Sequence, residues 1–180
     1  MIKKIERIIK DRNYRIRVLA SRGFYKFLSD EKYLKMIFKS YFGYELDLDN
    51  PKTYCEKLQW LKLYDRNPRY TTMVDKYEVK KYVADLIGED HVIPLLSGRV
   101  FDNYEEIDFD KLPDQFILKC THDSGGFSVC KNKKDFDIVG EKKRFKKMLK
   151  HNCFQDAREW PYKNVKPRII AEKYIDSLGN

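Results

Sequence analysis

The sequence predicts an α+β fold, a helical N-terminal part followed by antiparallel hairpin strands with helices. Three observations point that way. Apolar residues recur at helical spacing through the first third of the chain, whereas short apolar runs bounded by Gly, Pro, Asn and Asp dominate the remainder. In 180 residues, 42% hydrophobic and 14% aromatic content suffices for one or two packed domains. The switch in pattern divides the chain into a helical region, residues 1–66, and a mixed region, residues 67–180.

The helices follow in order. Ile2, Ile5, Ile8 and Ile9 alternate with Lys3, Lys4, Arg7, Lys10 and Arg12. This spacing gives a short amphipathic helix with a basic face, suited either to packing on its own domain or to lying on an anionic membrane. Ser29 offers an N-cap, Asp30 and Glu31 fill the first turn, and Tyr33, Leu34, Ile37, Phe38, Tyr41 and Phe42 form one face before Gly43 stops the helix. Thr53 and Glu56 have capping-box spacing, with Tyr54, Leu58 and Leu61 on a shared face. Turn chemistry at Asp65, Arg66, Asn67 and Pro68 ends that helix. A further helix opens at Asp75, repeats the capping spacing with Glu78 and runs through Val79, Val83, Leu86 and Ile87 to Gly88. Lys76 then falls in its first turn, where the macrodipole favours an anion.

Strands are expected over residues 91–96, 115–121, 127–131 and 168–175. One helix over about residues 141–152 turns Phe145, Met148 and Leu149 inward. Within QFILKCTHDSGG, Phe116, Leu118 and Cys120 point to one side of a strand, so Lys119 projects with Ile117 and Thr121 to the other. That face must be wet or hold an anion. Ser124, Gly125 and Gly126 make the hairpin turn, and glycine amides there can approach phosphate oxygens. A solvent-facing lysine beside a turn that serves only the hairpin is the plainer alternative. No Walker loop is present. His122 and Asp123 beside the loop can either polarise a substrate group or hold the turn by side-chain hydrogen bonds, and the turn role is the expected one.

Net charge is +9, which admits polyanions or anionic lipid as partners. Cys55, Cys120, Cys130 and Cys153 have neither CxxC nor zinc-ligand spacing and read as reduced thiols of a cytoplasmic protein. No leader is visible, and no apolar run approaches the roughly 20 residues of a membrane span.

Three long stretches then carry a resemblance: NPKTYCEKLQWLKLYDRNPRYTTMVDKYEVKKYV, FDKLPDQFILKCTHDSGG and REWPYKNVKPRIIAEKYI. In this order and spacing they resemble the TupA-like (teichuronopeptide biosynthesis type) ATP-grasp proteins, over about residues 28–175. The resemblance implies the first part of an ATP-grasp fold and ATP-dependent carboxylate ligation in making cell-surface polysaccharide or acidic polymers. It implies that Lys76 and Lys119 reach nucleotide phosphates, that Ser124, Gly125 and Gly126 close over them, and that Glu172, Lys173, Tyr174 and Ile175 form the hinge strand that receives adenine. Arg158 and Arg168 are candidates for a substrate carboxylate or acidic sugar; Glu159 and Trp160 read as structural. Members of the family bind magnesium through Asp, Glu and Asn ligands in a second half of the fold, and the chain reads as truncated before it. ATP and magnesium are therefore the expected cofactors, with the metal ligands outside this chain, in a second chain or a missing C-terminal half.

Two other readings stand beside this one. A basic, non-catalytic anion-binding module would use KYEVKKYV or KKRFKKMLKH, although no nucleic-acid motif is present and no nucleic-acid partner is expected. A glycosyltransferase of the same pathway would place a metal on Asp135 and Asp137. The expected location is cytoplasmic, with the inner membrane face available to the basic first helix.

Overall fold

The computed structural model describes residues 2–176, with side chains described from residue 4 onward; the side chains of Ile2 and Lys3, assigned above to the first helix's stripe and basic face, lie outside the described residues. The fold is α+β, helices with one small antiparallel sheet. The chain divides into two compact units, residues 1–67 with 153–160, and residues 68–152 with 161–180.

The first unit is helical: α1 (Ile2–Lys10), α2 (Arg12–Ser21), α3 (Asp30–Phe42), α4 (Tyr54–Tyr64) and the short α8 (Phe154–Ala157). Its caps are those the sequence offers. The Ser29 hydroxyl accepts from the Lys32 amide, Gly43 ends α3 in the left-handed region at φ +81°, and Thr53 and Glu56 complete a capping box. Tyr33, Leu34 and Phe38 pack with Ala20, Leu46, Leu48 and Leu63 as its core. The α4 face differs from expectation. Tyr54 and Leu61 are exposed and Leu63 is buried, because the Glu56 carboxylate turns inward to the amides of Lys52 and Thr53 and sets the helix's rotation.

The second unit holds α5 (Arg69–Val74), α6 (Glu78–Ile87), α7 (Ile138–Leu149) and the strands β1 (Phe116–Cys120), β2 (Phe127–Cys130) and β3 (Ile169–Lys173). The sheet order is β2-β1-β3, all antiparallel, with Lys119 opposite Phe127 on one side and Ile170 on the other. Phe116, Leu118, Cys120, Cys130, Ile169 and Ala171 form one face. Phe145 of α7 covers it, completely buried, with Met148 and Leu149 beside it as expected. That helix begins at Ile138 rather than near residue 141 because Asp137 caps it by accepting from the Gly140 amide.

Two expectations change here. Residues 91–96 form no strand: Glu89–His91 is a 3-10 turn, and the segment meets β3 only through the bridge of Leu95 to Glu172. Pro94 brings no N–H to a ladder, so a run that is apolar enough for a strand pairs at one point. The helix expected to open at Asp75 starts instead at Glu78, and its last residues, Leu86 and Ile87, are exposed.

Phe145 fills the space between α7 and the sheet, so Phe145→Ala is expected to cost about 3–5 kcal/mol of unfolding free energy, read as a lower urea midpoint at unchanged m-value. A shift under about 1 kcal/mol would mean that this core collapses around the loss.

Candidate functional site

Lys119 and Glu172 share the sheet face opposite the core, because Glu172 pairs with Ile117 and alternation returns the same side at Lys119. Glu172 is 3% exposed. Its Oε2 lies 2.5 Å from Lys119 Nζ, and its Oε1 lies 2.5 Å from Lys80 Nζ on α6. The carboxylate thus stands between two ammonium groups, and Lys80 also donates to the Ile93 carbonyl at 2.7 Å. The close Lys119 contact is ionic, and Oε2 accepts no directed hydrogen bond. Two positive charges against one negative leave this face net cationic. On the β2 side the same face is open, with Phe127 and Val129 exposed next to Ile117 and Lys119.

The glycine turn closes one end of this face. Gly125 has φ +119° and nothing within 4 Å of where a Cβ would stand, so its requirement for glycine is conformational. Gly126 differs: a Cβ there would fall 1.9 Å from Asp123 Oδ2. Asp123, 7% exposed, occupies that space and accepts from the Gly126 amide at 2.9 Å. Asp123 therefore shapes the turn, as expected of it. The Gly126 amide is already engaged, and the amides of Ser124 and Gly125 donate to nothing among the described residues. Ser124 and Gly125 are exposed and Gly126 is buried.

Lys76 belongs to this end. It precedes α6 in a turn rather than lying in the helix's first turn, its amide donates to the Thr121 carbonyl at 3.1 Å, and its Nζ donates to the Asp123 carbonyl. Its Nζ is 3.8 Å from Asp123 Oδ1. Asp75, 2% exposed, caps the turn through the Tyr77 and Glu78 amides and holds Arg168 Nη2 at 2.7 Å. Arg168 also pairs with Glu78 at 3.0 Å and lies over the Tyr77 ring. The partners of Arg168 are therefore the first residue of α6 and the Asp75 that caps the turn leading into it, and its role in this geometry is to hold that helix start to β3.

The remaining predicted residues are placed elsewhere. Lys173 and Ile175 are exposed, and Tyr174 lies under Lys131 Nζ at the opposite end of the sheet from the glycine turn. There, Lys173, Tyr174, Lys131, Gln115 and Leu96 line an open cleft of about 770 Å³ that includes neither Lys119 nor Lys76. Arg158 belongs to the helical unit. It is 2% exposed, adopts φ +54°, donates to Gln155 Oε1 and to the carbonyls of Lys26 and Leu28, and pairs with Asp30 at 3.4 Å. This guanidinium is used as a structural fork. His122, expected to hold the glycine turn, is instead buried with Nε2 between the Met148 and His151 carbonyls at 3.2 and 3.0 Å, so it fixes the end of α7. Asp135 accepts from Asn132 at 2.7 Å and Asp137 caps α7, so both carboxylates of the DFD run have local structural partners.

Lys80 is the residue that the sequence reading missed. A signal for it existed: in the helix expected to open at Asp75, it falls four residues, one helical turn, after a lysine already singled out.

The family model described as TupA-like ATPgrasp matches residues 56–180. This span contains the whole sheet, α6, the glycine turn and Glu172. No curated protein and no solved structure matches the chain.

Glu172→Gln keeps the shape and removes the charge between two ammonium groups. The expected result is a loss of about 1–3 kcal/mol of stability, lowered when Lys80→Met is already present, as a double-mutant cycle would show. Additive effects would mean that Lys80 and Glu172 are near neighbours without energetic coupling.

Proposed function

The chain belongs to the TupA-like ATP-grasp family, and from that premise we propose that it binds ATP on the Lys119 face of its sheet, as part of an ATP-dependent carboxylate ligase that acts in cell-surface polysaccharide biosynthesis. The observation that supports this most is the pairing of two lysines with one buried glutamate. Lys80 and Lys119 together exceed the charge of Glu172, so an anion arriving at Lys119 meets a net positive pair, and Lys80 stays with Glu172 when Lys119 turns to the anion.

The residues present fit a nucleotide in kind. Lys119 and Lys76 take phosphate oxygens. The amides of Ser124 and Gly125 supply further donors at a turn whose φ only glycine adopts readily. Glu172 Oε2, buried and held only by the ionic contact of Lys119, keeps a lone pair for an amine or hydroxyl of the nucleoside. Lys173, Tyr174 and Ile175 continue the strand as the hinge that lines the adenine. Arg168 serves by holding Asp75, and through it Lys76, in place. Magnesium, when bound with ATP, neutralises the triphosphate; Glu172 is committed to two lysines, and no metal ligand is assigned to this chain. The acid to be activated and the nucleophile that takes it are read only as classes, a carboxylate or acidic sugar and an amine-like acceptor.

Isothermal titration of the folded chain with ATP, with and without magnesium, tests this. Saturable binding is expected. Lys119→Met should weaken it by about 1.5–3 kcal/mol, roughly 10- to 150-fold, the scale of a charge-assisted hydrogen bond. A folded chain that takes up no ATP in either condition, or a folded Lys119→Met variant with unchanged affinity, would overturn the assignment.

A further inference from the structure

The nucleotide reading leaves the first 27 residues unused. They hold nine Lys and Arg against two Asp and Glu, so +7 of the chain's +9 resides there. Arg15 donates to the Ile8 and Ile9 carbonyls and closes the end of α1, and Arg17 donates to the Ser40 carbonyl and lies over Tyr41. Lys4, Arg7, Lys10, Arg12, Arg22 and Lys26 remain exposed.

Apolar groups are exposed on the same segment. At helical spacing Ile5, Ile8 and Ile9 fall on one stripe of α1, with the basic residues beside and behind it. Ile5 and Ile9 are 52% and 68% exposed. After α2 the chain turns at Gly23, φ +78°, and presents Phe24 and Phe27, 61% and 81% exposed. The amphipathic helix alone has no aromatic anchor; this turn supplies two. Single exposed apolar side chains are ordinary on a protein surface. Four on a segment that carries most of the net charge make a combination matched to one environment: anionic headgroups above hydrocarbon.

We infer that residues 4–27 dock the protein on an anionic lipid bilayer. Lysine and arginine side chains meet the headgroup phosphates, and Ile5, Ile9, Phe24 and Phe27 enter the acyl boundary. A nucleic acid would use the charge and stack on the phenylalanines, but would give the isoleucine stripe nothing to bury in.

Sedimentation of the full chain with vesicles tests this, using phosphatidylcholine alone and phosphatidylcholine with about one third phosphatidylglycerol. Binding is expected only to the anionic vesicles and should weaken as salt rises. Each basic residue at such a surface is worth about fivefold in partitioning, so Lys4→Glu with Lys10→Glu should lower binding by at least about 25-fold. All the substituted side chains are exposed, and a circular dichroism spectrum matching the parent's establishes that the variants fold. Ile9→Ser and Phe27→Ser should each reduce binding at elevated salt, where hydrophobic insertion dominates. Equal binding to neutral and anionic vesicles, indifference to the lysine reversals, or tighter binding to single-stranded DNA than to the anionic vesicles would overturn the inference. None of these readings involves ATP, so they stand or fall apart from nucleotide binding.

Discussion

A carboxylate held between two lysines organises the second unit. Glu172 comes from β3, Lys119 from β1 and Lys80 from α6, so one buried charge ties a helix to two strands. An isolated carboxylate at 3% exposure would be costly, and the two ammonium groups make it tolerable. Replacing the set by apolar residues of equal size could give an equally stable or more stable protein. What the ionic set provides and an apolar cluster would not is a cationic surplus on a sheet face that otherwise shows Ile117, Phe127 and Val129.

A second set of contacts positions the turn that leads into that helix. Arg168, just before β3, holds Asp75; Asp75 caps the backbone that leads into α6; and Lys76, in that turn, reaches across to Asp123. Asp123 in turn shapes the glycine turn by filling the place of the Cβ that Gly126 lacks. These links run from the start of β3 to the hairpin turn without passing through the hydrophobic core. Displacement at any of them would be passed toward the glycine turn, because each link shares or adjoins a residue of the next.

How legible this was depended on the range of the interaction. The caps at Ser29, Thr53 and Gly43 involve neighbours three or four residues away, and spacing alone revealed them. The alternation in residues 116–120 likewise placed Lys119 opposite the core. What could not be read was long-range. The run at 91–96 has strand composition, but Pro94 and its place beside β3 reduce it to one bridge. Arg158, in the REWPYKN run, looked available for a ligand, yet carbonyls about 130 positions away in sequence take up its guanidinium. Sequence separation hides such partners, and a buried arginine has the same local signature as a ligand-binding one.

Lys119 illustrates why the two readings of a strand lysine need not compete. Glu172 is the anion that its face was expected to hold, so the lysine is explained structurally. That same pairing keeps its Nζ at the sheet surface and prevents it from folding back into solvent. A lysine fixed by one carboxylate, with a second lysine sharing that carboxylate, loses little when a phosphate draws it away, because Lys80 remains with Glu172. The structural role thus lowers the cost of the proposed functional one. Lys76, held by a backbone carbonyl as well as by its weaker approach to Asp123, is placed in the same way at the glycine-turn end of the face.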